Sequence, residues 1–365
     1  MRTQSLILAV LMLGLISSSC TKTTDLNSTS GQVSLKSALA QGVQDLTTAV
    51  NAITTSAGYQ VVAGPSDLTT KSLSLSPLDT VQHSILLADI SGVYDYKATT
   101  VVRGPGSFLR FFNKTAENAQ MIVRMPEEKV KASRSLLHYT PSDTLLTNNY
   151  VVTLSDYQYR FRYFNGWTYQ MASAIKVKDV DAGLLKIQTS NDKTLGYKFA
   201  SQFNFPNGYV TKTSYTSGDT AISSYAISNG TKTLYEEKYV GIKSSTELRH
   251  RETEFSLTIG NVLIVRKLNH AQTSLDSAKV YVSGVLQTKS KVEIVDKVTD
   301  NTNQSVAGQK RELKITFDDG TSKTFTELAG AAITDISTLF ASMRQANFAT
   351  AIIDWIAWDV YTKKQ

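Results

Sequence analysis

The chain has 365 residues, of which 41% are hydrophobic, with a formal net charge of +7 and a single cysteine. A single cysteine excludes an intramolecular disulfide. If its thiol is covalently modified, the chain also lacks a thiolate nucleophile and a cysteine metal site. Lysines and arginines are interleaved with acidic residues, which is typical of a soluble surface and argues against a nucleic-acid partner.

The first twenty residues have the zones of an export signal. Arg2 is positively charged, residues 6–16 (LILAVLMLGLI) are all apolar, and three serines precede Cys20. Because a membrane-spanning helix needs about 20 apolar residues, residues 1–19 are predicted to be a cleaved signal peptide. Small residues before a cysteine resemble the lipobox of bacterial lipoproteins of the Bacteroidota type. The resemblance implies cleavage before Cys20 and attachment of diacylglycerol, with palmitate-type acyl chains, to its thiol.

Residues 20–32 are expected to form the anchor and a flexible tether. The segment after Cys20 is rich in Ser and Thr and contains hardly an apolar side chain, so it cannot offset the entropy of ordering. Thr21 stands where an aspartate would mark inner-membrane retention. By that resemblance the protein is expected at the outer membrane, facing the periplasm or the cell surface. Its expected partners are the membrane, through the lipid, and an envelope protein.

The body, residues 33–365, is predicted to be a single β-rich domain. It begins with a helix over 33–58, in which Leu39, Val43, Leu46, Val50 and Ile53 form an apolar stripe. Gly58 is placed as the helix C-cap. From 85 to 328 the apolar residues alternate with polar ones and turn signals recur, which predicts a meander of β-hairpins.

The register of the hairpin over 157–171 follows from its aromatic residues. A three-residue loop, 164–166, pairs Tyr163 with Trp167 and Phe161 with Tyr169, so that all large side chains share one face. A two-residue Asn165-Gly166 loop would place aromatics on both faces. Three-residue loops are also predicted at 206–208, which pairs Phe199 with Tyr215, and at 318–320. A fourth turn at 229–230 has no settled register.

Helical patterns return over 330–362, and 348–361 (FATAIIDWIAWDVY) has only a narrow polar face. This segment is expected to be buried against the sheet. The predicted fold class is therefore α+β and mostly antiparallel β: a large meander sheet, shaped as a half-barrel or a sandwich, with an N-terminal helix and two C-terminal helices packed on it.

Catalytic motifs are not found, and neither a catalytic residue, a metal site nor a cofactor is predicted. The four histidines have no ligand-like spacing, and the glycines at 104 and 106 lack the spacing and the lysine of a phosphate loop. Asp354 and Asp359 stand near Trp355 and Trp358. These carboxylates are either solvated or raised in pKa by an apolar wall.

Aromatic side chains remain as the candidate ligand contacts. They are concentrated in the 157–171 hairpin and the last helix: Tyr159, Phe161, Tyr163, Trp167, Tyr169, Trp355 and Trp358. We expect a membrane-anchored envelope lipoprotein with a binding or structural role, carrying an apolar ligand between sheet and C-terminal helices. The alternatives are a glycan-binding surface lipoprotein, since aromatic rings stack on sugars, and a hydrolase acting on an envelope or dietary polymer.

Overall fold

A computed structural model describes residues 34–62, 83–97, 108–131, 144–162, 166–243, 250–267, 278–296, 311–343 and 346–364. Cys20, Tyr163 and the predicted signal peptide and tether lie outside these ranges. Of the two compact units into which the chain divides, the one over Val33–Gln365 contains every element given below.

The described helices are α1 (Leu35–Thr54), α2 (Ala57–Val62), α3 (Leu87–Ile90), α4 (Glu127–Lys131), α5 (Phe325–Met343) and α6 (Ala346–Lys364), and a 3-10 turn covers Phe108–Phe111. The described strands are β1 (His83–Leu86), β2 (Gly92–Tyr96), β3 (Phe112–Ala116), β4 (Met121–Met125), β5 (Tyr150–Arg162), β6 (Gly166–Val177), β7 (Val180–Asp192), β8 (Gly196–Asn204), β9 (Tyr209–Thr216), β10 (Thr220–Asn229), β11 (Lys232–Lys243), β12 (His250–Ile259), β13 (Val262–Lys267), β14 (Lys279–Val282), β15 (Val285–Leu286), β16 (Lys291–Asp296), β17 (Arg311–Thr316) and β18 (Ser322–Thr324).

The predicted α+β meander is confirmed: 56% of the structure is strand, and fifteen of the described strands form one large, mostly antiparallel sheet. From β4 to β15 the strands lie in chain order, each paired with the next. The other end is less regular, because β1 pairs with β5, and β2 pairs in parallel with β4. The sheet is open, ending on β15 at one side and β3 at the other.

The two faces of the sheet differ in chemistry, as alternation along each strand requires. One face, here called the core face, carries buried side chains such as Met171, Ile187 and Phe203. The opposite face is mainly polar: Gln170, Gln188, Ala200, Ser214, Ser224 and Lys238 occupy consecutive pairing positions across six strands, and only Ala200 among them is apolar. The apolar core is therefore built on one side of the sheet.

Helix α1 covers the core face at the end of the sheet formed by β11, β12 and β13. The Ser34 hydroxyl caps the helix by accepting a hydrogen bond from the Ser37 backbone N–H at 3.2 Å. Leu39, Leu46 and Ile53 are fully buried, which confirms most of the predicted apolar stripe. Gly42 packs directly on β12, since a Cβ added there would lie 2.9 Å from the Ile259 carbonyl oxygen.

Gly58 is not the cap of this helix, and that prediction was wrong. Helix α1 ends at Thr54, whereas Gly58 lies in α2. An added Cβ at Gly58 would lie 2.2 Å from the carbonyl oxygen of Ala182 in β7. The glycine is needed there because the helix approaches the sheet backbone closely.

The prediction for the hairpin between β5 and β6 placed the aromatic residues on the correct face but in the wrong register. Phe161 pairs with Trp167 and Tyr159 with Tyr169, so that residues 163–165, not 164–166, lie between the paired ends. The shift is two residues in the pairing, and an even shift keeps every aromatic on its predicted face. The 206–208 loop is confirmed, with Phe199 opposite Tyr215 and a hydrogen bond from the Phe205 N–H to the Tyr209 carbonyl at 2.8 Å.

The C-terminal part adds a small sheet and two helices. The sheet has the order β16-β17-β18, with Ile315 and Phe317 buried, and the predicted loop at 318–320 is confirmed by the hydrogen bond from the Phe317 N–H to the Thr321 carbonyl. Helix α5 packs against α1, β17 and β18, and begins at Phe325 rather than at 330. Helix α6 packs against α3, β1 and the 3-10 turn, with Ile352, Ile353 and Ile356 in the core.

Candidate functional site

A polar cluster joins α6 to the sheet. The hydroxyls of Tyr157 on β5 and Tyr169 on β6 both donate to Oδ1 of Asp354, at 3.0 and 3.1 Å. The two phenol rings meet edge to face, with centroids 5.8 Å apart. Diagonal positions on adjacent strands place both side chains on the core face, where the helix supplies the carboxyl group.

Burial dominates the electrostatics of this cluster. It raises the pKa of Asp354 to about 7, although the two phenol hydrogen bonds act in the opposite direction. Burial, together with the charge of Asp354, also raises the pKa of Tyr157 and of Tyr169 well above 10, so both phenols stay protonated and donate. Of the two interpretations of Asp354 from sequence, the carboxyl group raised in pKa by apolar surroundings is the one that the structure shows.

The cluster has the composition of a structural contact. The hydrolase alternative requires two carboxylates, or a histidine and a carboxylate, that converge in a pocket. Asp354 does not supply such a pair through Oδ1, because the two hydrogen-bond partners of that oxygen are phenols. Asp359, the second aspartate of α6, accepts a hydrogen bond from the Leu109 backbone N–H at 2.9 Å. Both aspartates thereby hold α6 against the rest of the fold.

The predicted ligand contacts are divided between the core and the surface. Tyr159 is buried, and Phe161, Tyr169 and Trp358 are partly buried against the core. Trp358 also meets the His83 ring edge to face at 5.5 Å. Trp355 and Trp167 keep part of their surface exposed.

Beyond Tyr169 the core face carries a line of side chains that is rich in partly exposed aromatic residues. Eight residues, one from each strand from β6 to β13, occupy consecutive pairing positions: Tyr169, Thr189, Phe199, Tyr215, Ser223, Tyr239, Phe255 and Arg266. We call this line the aromatic row. With strands about 4.8 Å apart, it extends for roughly 34 Å across the sheet.

Two neighbouring rings of this row are close to each other, and two of its tyrosines reach solvent. Tyr239 and Phe255 have centroids 4.9 Å apart. Tyr215 is 37% exposed and Tyr239 36% exposed, large fractions for aromatic residues on the core face. A shorter parallel line adds Trp167 and Tyr197, whose ring centroids are 6.3 Å apart, and Tyr197 in turn lies 6.0 Å from Tyr215.

Polar groups alternate with these rings. Thr189 and Ser223 lie within the row, and Asn191 lies between Trp167 and Tyr197 in the pairing. In the next line towards α1, Met171, Ile187, Leu257 and Ile264 at the two ends are buried. The four residues between them are partly exposed: Ser201, Thr213, Tyr225 and Glu237. At the two ends of that line, the row therefore lies at the border between the buried core and an accessible surface with aromatic, hydroxyl and amide groups.

Sequence reasoning identified only one end of this surface. It singled out Trp167 and Tyr169 but not Phe199, Tyr215, Tyr239, Phe255 or Arg266 as ligand contacts. The predicted pairing of Phe199 with Tyr215 was the signal available, and extending it strand by strand would have required the register of every hairpin.

No protein-family model, curated protein or solved structure matches this chain. Among the described residues, no three or more His, Cys, Asp or Glu side chains are grouped as a metal site. None of the described helices is both long enough and apolar enough to cross a bilayer.

Proposed function

We propose that this chain is a lipid-anchored envelope protein with a binding role, and that its ligand is a glycan held along the aromatic row. The observation that carries the proposal is the register of the row, which aligns five aromatic side chains on one face over the seven strands from β6 to β12. Two of them, Tyr215 and Tyr239, are more than one third exposed, and exposed aromatic surface of this kind is typical of a binding site.

The mixture of groups favours a sugar over a purely apolar ligand. A sugar ring has an apolar C–H face, which stacks on an aromatic ring, and hydroxyl groups at its edge, which need hydrogen-bond partners. Tyr215 and Tyr239 each offer a ring face and a polar end, and Thr189, Ser223 and Asn191 lie between such rings. The Thr189 hydroxyl already donates to the Lys198 carbonyl oxygen at 3.0 Å. An aliphatic ligand would offer Ser223 and Asn191 no hydrogen bond, at a cost in affinity.

The proposed lipid anchor locates this binding site at the outer membrane. The lipobox-like sequence before Cys20 and the tether over 21–32 support attachment to the outer membrane, with the domain held up to about 40 Å from the headgroups. A glycan ligand would then belong to the envelope itself or to a polymer that reaches the cell surface.

Titration calorimetry on the mature protein, with glycans selected on an array, tests the proposal. Tyr215→Ala and Tyr239→Ala should each lower the affinity about tenfold or more, because each removes a stacking surface. Leu184→Ala is the matched control, since Leu184 is 47% exposed but precedes the buried Leu185 on its strand and faces away from the row. Silence on the array, or unchanged binding by both tyrosine variants, would overturn the proposal.

An apolar ligand beneath the C-terminal helices is the second candidate. The observation in its favour is that Trp355 and Trp358 of α6 keep exposed surface beside Tyr361, whose ring centroid is 6.4 Å from that of Trp358. Delipidated protein should then take up fatty acid or phospholipid with a change in tryptophan fluorescence that Trp358→Phe reduces and Trp167→Phe does not. Failure of the wild-type protein to take up either lipid would exclude this candidate.

A further inference from the structure

The aromatic row ends on a cation. Arg266 of β13 pairs with Phe255 of β12, so its side chain lies on the same face as the rings. The residue is partly buried, and its Nε is buried without a hydrogen-bond partner among the described residues. A buried donor of a charged group that lacks an acceptor costs free energy.

The neighbouring cation differs in this respect. Lys267 lies on the opposite face and forms an ion pair with Glu254 at 3.5 Å. None of the eight side chains of the aromatic row is a carboxylate. One acidic residue of the adjacent line, Glu237, accepts a hydrogen bond from the Tyr235 hydroxyl. The charge of Arg266 is therefore not matched by an acid within the row.

We propose that Arg266 recognises an anionic group on the ligand, and that the glycan bound by the row is acidic. This inference rests on the proposed glycan-binding function. A planar guanidinium donates two parallel hydrogen bonds to a carboxylate or a sulfate, which a lysine does not match. The net charge of +7 adds a long-range attraction for such a polymer. The ligand is thus a linear glycan that carries uronate or sulfate groups, with one anionic group at Arg266 and sugar rings on Phe255, Tyr239 and Tyr215.

The test compares glycans that share a backbone and differ in charge. Hexamers of a uronate-containing glycan, its neutral methyl ester, and a sulfated counterpart of the neutral backbone are titrated into the mature protein at several NaCl concentrations. The two charged arms distinguish a carboxylate from a sulfate ligand. At least one of the two charged hexamers should bind more tightly than the neutral hexamer, by about tenfold or more. The affinity for that charged hexamer should fall as the NaCl concentration rises.

Variants at Arg266 separate recognition from general attraction. Arg266→Gln should lower the affinity for the charged hexamer about tenfold and weaken its salt dependence, and should lower the affinity for the neutral hexamer much less. Arg266→Lys keeps the charge and an aliphatic stem, so its affinity for the charged hexamer should lie between those of wild type and Arg266→Gln. It replaces Arg266→Gln in the test if that variant fails to fold. Lys267→Gln is the matched control: it removes one charge from the other face and should change little.

The outcomes distinguish the two proposals. Equal affinity for charged and neutral hexamers, or charged binding that both Arg266 variants retain, overturns this inference and leaves the glycan-binding function standing, provided that Tyr215→Ala weakens binding. Binding of neither charged nor neutral hexamers, with silence on the wider array, overturns both.

Discussion

The hydroxyl of Tyr157 lies 3.0 Å from Oδ1 of Asp354, a hydrogen bond that connects positions 197 residues apart. It joins the first long strand of the meander to the last helix of the chain. Tyr169 donates to the same oxygen, so one carboxyl group holds two strands and a helix together.

This contact should make stability depend on pH through Asp354. Its pKa is about 7 in the folded protein, above the ordinary 3.8, so the folded state takes up the proton more readily than the unfolded state does. The contribution of the group to the free energy of unfolding is therefore complete below about pH 4, is lost as the pH rises to about 7, and is constant above that. Asp354→Asn should remove this dependence and be more stable than wild type at pH 8, by on the order of 2 kcal/mol after allowing for partial exposure.

Urea denaturation between pH 4 and 8 measures the effect. The comparison that matters is the difference between wild type and Asp354→Asn, because the other titrating groups cancel in it. Asp335→Asn, on an exposed position of α5, is the control and should give a constant difference. If the free energies of unfolding of wild type and Asp354→Asn changed with pH in parallel, the result would contradict the pKa assigned to this carboxyl group.

Removal of one phenol hydroxyl should destabilise the protein without changing its fold. Tyr157→Phe leaves the Asp354 carboxyl with one donor fewer in a buried setting, at a cost of about 1–3 kcal/mol in the free energy of unfolding at neutral pH. Tyr159→Phe is the matched control: Tyr159 is buried on the same strand and face, and its hydroxyl does not donate to Asp354. Equal effects of the two substitutions would show that the hydrogen bond contributes nothing specific.

Gly42→Ala should also destabilise, against the usual preference of helices for alanine. Its Cβ would lie 2.9 Å from the Ile259 carbonyl oxygen and 3.1 Å from an Ile259 side-chain carbon. Helix α1 would have to move away from β12, which costs about 1–3 kcal/mol and outweighs the gain of up to about 1 kcal/mol in helix propensity. Gln44→Ala, exposed on the same helix, should be neutral or slightly stabilising in the same thermal melt.

Cys20→Ala should release the protein from the membrane. Wild type is expected in the detergent phase after phase separation, and mass spectrometry of its N-terminal peptide should show a lipid-modified Cys20. The variant should remain an uncleaved precursor or move to the aqueous phase, whereas Thr21→Ala should behave as wild type. An unmodified Cys20 in the mature wild-type protein would exclude the lipid anchor.

The sequence was sufficient for two of the predicted hairpin loops and not for the site. Local patterns predicted the 206–208 and 318–320 loops, because proline, asparagine, aspartate and glycine determine a turn through neighbouring residues. The register of the β5–β6 hairpin was missed because the observed pairing differs from the predicted one by two residues. A shift by an even number keeps the same side chains on the buried face, so periodicity alone does not distinguish the two registers.

The contacts of Asp354 were harder still to predict. Its position among apolar residues suggested either a solvated or a buried carboxyl group, and only its spatial neighbours decide between them. Arg266 shows the same limit: in the sequence it is one basic residue in a strand, and its role depends on seven successive strand pairings that bring it into line with Tyr169.

The order of the strands also determines when each contact can form as the chain is made. Each strand from β5 to β15 pairs with the strand synthesised just before it, so the sheet can grow by local steps as the polypeptide lengthens. Asp354 lies beyond the last strand, 185 residues after Tyr169. Tyr157 and Tyr169 can therefore make this contact only after the strands of the sheet and α5 have been synthesised, so the paired sheet can form before it is joined to α6.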